Sequence, residues 1–440
     1  MSDTPDSDDP QSKGKRKPKP AVAPVVSLEE ARAARASGKW QQLLRLQQGG
    51  APTKDIGNLV LLLINDPEWS GCLAFDEFSE RVRWTKSPPA LPGLPLPSGE
   101  ARRHHALYVH HYFARLRGVS FAKNDVWEAM SAAAHARPTH AVREWLKSLA
   151  WDGTKRVETW LSEYFGAEDT PLNRAIGRMW LVSAVARVME PGCQADHMLV
   201  LQAVQGAGKS TGLEILFGKA WYLPKLPNIQ DETRAASALR GRWGVEVGEL
   251  DAFRGAASTR IKDFLSQRDD DFRAAYAEHE IKRPRHCIFA GSTNENAFLG
   301  DPTGARRFWC VRVGLVDRLG LKRDRELVWA EALAMYESGV HWWPERADSE
   351  LLAALSESQE ERFVVDDWET RIATWLGSQL QRDGFTSADV LAAALSMAPG
   401  QWDKSAQTRV GHILTRLGYE RHRVLEGKVR LYRYWRPGER

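Results

Sequence analysis

The run Gln205-Gly-Ala-Gly-Lys-Ser-Thr211 brings together glycines, a lysine and two hydroxyls at a spacing suited to phosphate. Gly206 and Gly208 let successive backbone N–H groups fold around an anion, and a helix that starts at the lysine adds a favourable dipole. The Lys209 ammonium can reach the β- and γ-phosphates of a nucleoside triphosphate, and the Ser210 hydroxyl is an oxygen ligand for Mg²⁺. Gln205, Ala207 and Thr211 complete the expected cradle. The usual pattern, GxxxxGK[ST], has glycine where this chain has Ala203, and Gly206 is the candidate to supply the turn freedom instead.

Phosphate binding does not specify a reaction. Hydrolysis also needs an acidic group beside the metal and one to orient water. The segment Trp243-Gly-Val-Glu-Val-Gly-Glu-Leu-Asp251 supplies Glu246 for metal or water and Glu249 to polarise the attacking water, with Asp251 a competitor and a simple ion pair to arginine the plainer use of either. Asn294 ends the apolar run Arg285–Asn294, where it can bond the γ-phosphate or the water, or serve only as a turn residue. Arg306 and Arg307 precede the next aromatic run; a permanently charged guanidinium suits the charge developing in phosphoryl transfer, although surface arginines beside a strand are common.

These residues need strands that end on one edge and helices that return the chain. Met198–Ala203 reads as a buried strand directly before the glycine-rich loop, and Gly212–Phe217 as the helix after it. Short apolar strands alternate with helices to about Val313, and then come helices over 324–339 and 349–363. Upstream, the pattern predicts helix from Ser27 to about Glu80, with Ser27 and Glu30 in a capping-box spacing, a proline-rich connector over 87–99, and helix again from Ala101 to about Leu161. Downstream, helices over 368–382, 386–397 and 404–417 precede strands over 419–425 and 428–435. The expected fold is α/β: a disordered tail (1–25), a helical N-terminal region (26–190), a P-loop core with a parallel sheet (191–345), a helical connector (346–367) and a winged-helix-like domain (368–440).

Composition narrows the field. The 440 residues carry a net charge of +4, so any basic surface is local. One lies in the last forty residues, where ten Lys or Arg face four Asp or Glu. The tail holds four aspartates and then five Lys or Arg, with too few apolar residues to offset its ordering entropy. No apolar run is long enough for a membrane helix, and MSDTPDSDDP lacks the apolar centre of a signal peptide. Four scattered cysteines without a CxxC pair argue against a zinc ribbon or disulfide framework and for a reducing, cytoplasmic setting. His104, His105, His110 and His111 cluster without a carboxylate set, which favours a partly exposed helix over a metal site.

The blocks NDPEWSGCLAFDEF (65–78), WDGTKRVETWLSEYFG (151–166), PGCQADHMLVLQAVQGAGKST (191–211), RWGVEVGELDAF (242–253), DDDFRAAYAEH (269–279), CIFAGSTNENAFLGDPTGARRFWCV (287–311) and VWAEALAMYESG (328–339) together resemble the virulence-associated protein E family of phage and genomic-island replication proteins. The resemblance covers roughly residues 55–345. It implies an AAA+-type ATPase related to superfamily 3 helicases, whose relatives form rings around DNA. Lys209 and Ser210 would be the Walker A pair, Glu246 and Glu249 would belong to Walker B, and Asn294 would be sensor 1. Arg306 or Arg307 would act as a finger on a neighbouring subunit's nucleotide. Residues 262–285 occupy the place of a DNA-contacting hairpin, with Lys262, Arg273, Lys282, Arg283 and Arg285 as candidate contacts, some of them in structural or nucleotide roles instead. Some relatives carry a primase domain; the N-terminal part here has no zinc-binding cysteine set and no acidic polymerising triad, so no primase activity is expected of it.

The leading expectation is a hexameric or otherwise ring-forming, ATP- and Mg²⁺-dependent DNA helicase or translocase, acting on single-stranded or forked DNA in replication of a mobile element. The alternative is a nucleotide-switched factor that binds DNA or a host replication protein with little or no unwinding. A small-molecule kinase is disfavoured by the paired arginines and the lack of an acceptor-binding signature.

Overall fold

The computed structural model describes residues 38–229, 231–248, 256–272, 281–295, 299, 305–362, 367–378, 384–426 and 429–438. The tail and the Ser27–Glu30 capping box lie outside them. Leu73–Asp76 (β1) and Arg81–Trp84 (β2) pair antiparallel, and Pro138–Thr139 (β3) joins β1 in parallel. The helical pattern expected from Ser27 to about Glu80 is therefore corrected: Leu73–Asp76, within it, is a strand held by pairing with β2, whose Arg81-Val-Arg-Trp84 alternates exposed and buried, the period of a half-buried strand. The helices of this part, Ile56–Asn65, His105–Leu116 and Lys123–His135, share a core built on Leu59, Val109, Phe113 and Met130. The His105 Nδ1 accepts from the Trp84 indole and the Arg102 N–H, and burial holds its pKa below the usual imidazole value.

Packing divides the described residues after Thr139: those within 38–77 and 81–139 form one unit, and those within 78–80 and 140–438 the other. The boundary expected at 190 lies too late in sequence. Helices Ala141–Ser148, Trp160–Phe165 and Pro171–Met189 put Val142, Leu146, Trp160, Trp180 and Val185 into the core of the second unit, so burial ties them to the sheet rather than to the preceding helices.

That unit is built on β4 (Met198–Gln202), β5 (Tyr222–Leu223), β6 (Gly244–Val247), β7 (Asp269–Phe272), β8 (Ile281–Pro284), β9 (Ile288–Thr293) and β10 (Phe308–Arg312). Five of them form one sheet in the order β10-β4-β9-β6-β5, every pairing parallel. β4 is buried along its whole length, as an inner strand covered on both faces must be. Alternation sends Leu199, Leu201, Ile288, Ala290, Trp309 and Val311 into one core and Met198, Val200, Phe289, Phe308 and Cys310 into the other. Three buried indoles find backbone acceptors: Trp180 on Phe289 O, Trp243 on Ala184 O and Trp329 on Leu216 O. Four free cysteines are buried, and burial pushes the Cys193 and Cys287 thiols up to about 11. No helix among the described residues is long and apolar enough to cross a membrane.

The C-terminal segment has its own core, with Ile372, Phe385, Val390, Leu391, Val410, Ile413 and Tyr434 at its centre. Helices Asp367–Gly377 and Lys404–Arg416 flank a short helical stretch, Ser387–Asp389 running into a π-helical turn at Val390–Ala394. A ribbon of β11 (Glu420–Glu426) and β12 (Val429–Trp435) closes it.

Gly244 tests how tightly the sheet is seated. A Cβ there would lie 2.2 Å from the ring of Phe217, which is itself fully buried among Trp180, Trp243 and Trp329. Gly244→Ala is expected to destabilise the protein by about 1–3 kcal/mol, read as a lower denaturation midpoint; an unchanged midpoint would show that the ring can move.

Candidate functional site

β4 ends at Gln202, and the chain makes a tight loop before entering the helix Lys209–Phe217. Gly206 and Gly208 sit at φ +87° and +90°, a region side chains rarely adopt, and a Cβ on Gly206 would meet nothing within 4 Å. Ala203 is not in the left-handed region, so the departure from the usual glycine demands no strained alanine. The loop is tied on both sides: Ala203 N–H donates to Thr293 O on β9, and Val316 N–H to Ala207 O. The far end of the helix is held by Arg325, which donates to Leu216 O and Phe217 O. Gly212 makes room for Phe165, whose ring would lie 2.6 Å from a Cβ.

The result is a cleft of 480 Å³ lined by the loop residues Gln205, Gly206, Ala207, Gly208, Lys209, Ser210 and Thr211, by Ser292, Thr293 and Asn294 from the end of β9, and by Arg318. Its size is that of a small-molecule site. The first N–H groups of a helix have no partner within it, so this helix start aims donors and positive dipole at the cleft. Lys209 lies over the loop, its ammonium donating to Ala203 O at 2.6 Å. Arg318 stands beside the loop; a Cβ on Gly208 would be 3.1 Å from its Nη2.

Glu246 lies directly behind this cleft. It is 2% exposed, yet three hydroxyls reach its carboxylate. Ser210 and Ser292 each donate to Oε1 at 2.8 Å, and Tyr222 donates to Oε2. Burial and then the facing carboxylate push the Tyr222 phenol far above its ordinary pKa, so the hydroxyl stays a donor. Lys209, Glu246 and Asn294 thus converge at the C-terminal edge of the parallel strands, where ligands of open α/β sheets bind.

Arg306 and Arg307 are elsewhere. They precede β10, whose Phe308 pairs with Met198 at the start of β4, while the glycine-rich loop comes after β4. A five-residue strand of roughly 16 Å separates the two edges. Arg306 is exposed, and Arg307 donates to Ser266 Oγ at 2.7 Å. Glu249, Asp251 and Arg273 lie outside the described residues. Asp269–Phe272 and Ile281–Pro284 do pair as an antiparallel ribbon, β7 with β8, but the described cations on and beside it have partners or are buried. Arg285 is 2% exposed and bonds Asp270, Gln267 and Phe264 O, and Lys262 is 4% exposed. Both are corrected from surface contacts to interior residues in this chain. Arg283 pairs with Glu80, and Lys282, the exposed one, pairs with Asp269 at 3.3 Å.

Sequence reasoning missed Tyr222, Ser292, Thr293 and Arg318. Ser292 was findable, since it lies at the C-terminal end of the same apolar strand that leads into Asn294. Tyr222, in a two-residue strand, gave no local signal.

The architecture is a mixed α/β protein whose parallel sheet carries a glycine-rich loop. Residues 146–363 match the model of the virulence-associated protein E-like domain, which supports assignment to the virulence-associated protein E family. Among solved structures it is similar to the A form apo structure of the C-terminal region of NrS-1, at 14% identity over 87% of this chain and 99% of that one, with a TM-score of 0.43. A second apo structure of the same region matches at 13% identity over 82% of this chain and 95% of that one, with a TM-score of 0.38. No curated protein gives a match.

Removing the phenol oxygen isolates one of the Glu246 hydrogen bonds. Tyr222→Phe leaves Oε2 buried without this donor and is expected to lower stability by about 1–3 kcal/mol in urea denaturation. A midpoint equal to wild type would mean that Glu246 does not depend on this bond.

Proposed function

We propose that the chain is a P-loop, AAA+-type ATPase that works as an ATP- and Mg²⁺-dependent DNA translocase or helicase in replication of a phage or mobile element. The observation that carries this reading is the buried carboxylate of Glu246 hydrogen-bonded to Ser210 at the start of the loop helix. The hydroxyl and the carboxylate are hard oxygen donors, one or two of which, with substrate phosphates, suffice for Mg²⁺. When bound, the metal would neutralise charge on the β- and γ-phosphates.

In this mechanism the loop N–H groups and Lys209 would hold the triphosphate, and Ser210 and Glu246 would hold the metal. Asn294, at the cleft wall, orients the attacking water or the γ-phosphate. Glu249 is the proposed group that polarises the water, leaving Glu246 to the metal beside Ser210. Arg318 reaches the cleft from the same chain. Arg306 or Arg307, on the opposite edge of the sheet, would serve a nucleotide held by a neighbouring copy, which makes a hexamer or other ring the working assembly. The C-terminal segment, three helical pieces and a two-stranded ribbon, is read as winged-helix-like.

The second reading, a nucleotide-gated switch with little unwinding that binds DNA or a replication protein, is favoured by the three hydroxyls that hold Glu246 in place behind the cleft, since turnover then depends on a second acid.

ATP hydrolysis with and without single-stranded DNA separates the two. The motor reading expects stimulation by DNA and a loss of about 100-fold or more in Lys209→Ala; nucleotide binding with no turnover above that variant would favour the switch. Mixing tests the shared site. Lys209→Ala and Arg306→Ala/Arg307→Ala are each expected to be inactive alone and to recover part of the activity together, because each supplies what the other lacks. No recovery in a mixture shown to co-assemble would place the arginines' action within one chain.

A further inference from the structure

The ribbon β11–β12 has two unlike faces. Its register pairs Arg421 with Tyr434, Arg423 with Tyr432 and Leu425 with Arg430, so these side chains share one face. His422, Val424, Leu431 and Arg433 occupy the other, together with Glu420. The second face is half-buried at 422, 424, 431 and 433. The first is exposed at Arg421, Arg423, Leu425, Arg430 and Tyr432, with Leu425 66% and Tyr432 47% accessible. It carries three arginines and an aromatic ring, and the register assigns it no carboxylate. The Arg421 guanidinium stacks over the Tyr432 ring at 4.2 Å from its centroid.

The base of the ribbon is anchored and the rest projects. Phe385 exchanges both backbone hydrogen bonds with Tyr434, and Tyr434 stacks on the Phe385 ring inside the segment's core. Tyr434 and Trp435 are therefore packing residues, while Tyr432, two positions further out, is not. The adjacent helix Lys404–Arg416 is poorer in available charge. Arg409 lies over Trp368 at 4.0 Å, and Arg416 pairs with Glu369.

We propose that the outward face of this ribbon binds single-stranded DNA, with Arg423 and Arg430 on phosphates and Tyr432, backed by Arg421, as a platform for an unpaired base. Complementarity of charge selects a polyanion, and a half-exposed ring between arginines selects one whose base faces are open, since bases in a duplex are already stacked. This rests on the motor reading and deepens it by giving it a DNA grip outside the ATPase sheet.

The test is titration of the full chain into a fluorescent oligothymidylate and into a duplex of equal length, over a range of salt. The expected result is tighter binding of the single strand. In R423E/R430E the affinity is expected to fall by about tenfold or more at 0.1 M salt, and the slope of log K against log salt to shrink by about 1.4. Y432A is expected to lose affinity with little change in slope, and R423K/R430K to keep most of the binding, which excludes misfolding as the cause. Unaltered affinity and slope in R423E/R430E, or a preference for the duplex, would overturn the proposal. Basal ATP hydrolysis without DNA, measured in the same variants, keeps the readings apart. Its retention beside unaltered DNA binding sinks the ribbon alone, whereas absence of hydrolysis in the wild type sinks the motor.

Discussion

A carboxylate buried as deeply as Glu246 persists only when its lone pairs are met, and here they are met by hydroxyls from Ser210, Ser292 and Tyr222. Those residues belong to three different pieces of chain: the first turn of the loop helix, β9 and β5. The hydrogen bonds therefore fix the height of the helix start against the strand ends, and with it the direction in which the loop N–H groups point. Placed one bond behind the cleft, Glu246 stays close enough to share a metal with Ser210 under the proposed function while remaining screened from bulk water. Gly244 and Gly212 serve the same arrangement. Each allows an aromatic ring, Phe217 or Phe165, to close on backbone, and the wall of tryptophans behind them keeps β6 and the loop helix from shifting.

The all-parallel sheet imposes a second constraint. Every loop that leaves a strand opens on one edge and every loop that enters one opens on the other. Lys209, Asn294 and Arg318 come after strands and gather at the cleft. Arg306 and Arg307 precede β10 and cannot reach it within the chain. The fold thus sets the loop residues and these two arginines on opposite edges of the sheet, and the ring in the proposed function rests on that separation. The buried Arg285–Asp270 pair shows a cation taken into the interior with its partners. Losing Asp270 would strand a charge there, so the base of the β7–β8 ribbon is fixed by electrostatics as much as by its ladder.

Much of the site was legible in the chain. The strand before the loop, the glycines, Lys209, Ser210, Glu246 and Asn294 were found from residue type and from strand-loop-helix order, because backbone freedom and phosphate chemistry leave few choices at those places. The C-terminal helices and ribbon were also found close to their bounds. The N-terminal strands β1 and β2 were not. Each is four residues long, too short for period-2 alternation to stand out from flanking helical patterns. The domain boundary was placed late because the helices from 141 to 189 look like their predecessors locally, and only burial against the sheet assigns them.

By itself the sequence determined which residues make the glycine-rich loop and in what order the strands deliver the cleft residues, since residue type and short-range geometry set both. Only the tertiary structure decided that Tyr222 and Ser292 complete the setting of Glu246. It alone withdrew Arg285 and Lys262 from the surface, and it alone showed which face of the terminal ribbon keeps its arginines exposed. Each of these depends on contacts between residues distant in the chain, and whether a charge is buried or exposed is decided by what packs on it, which residue type and spacing do not specify.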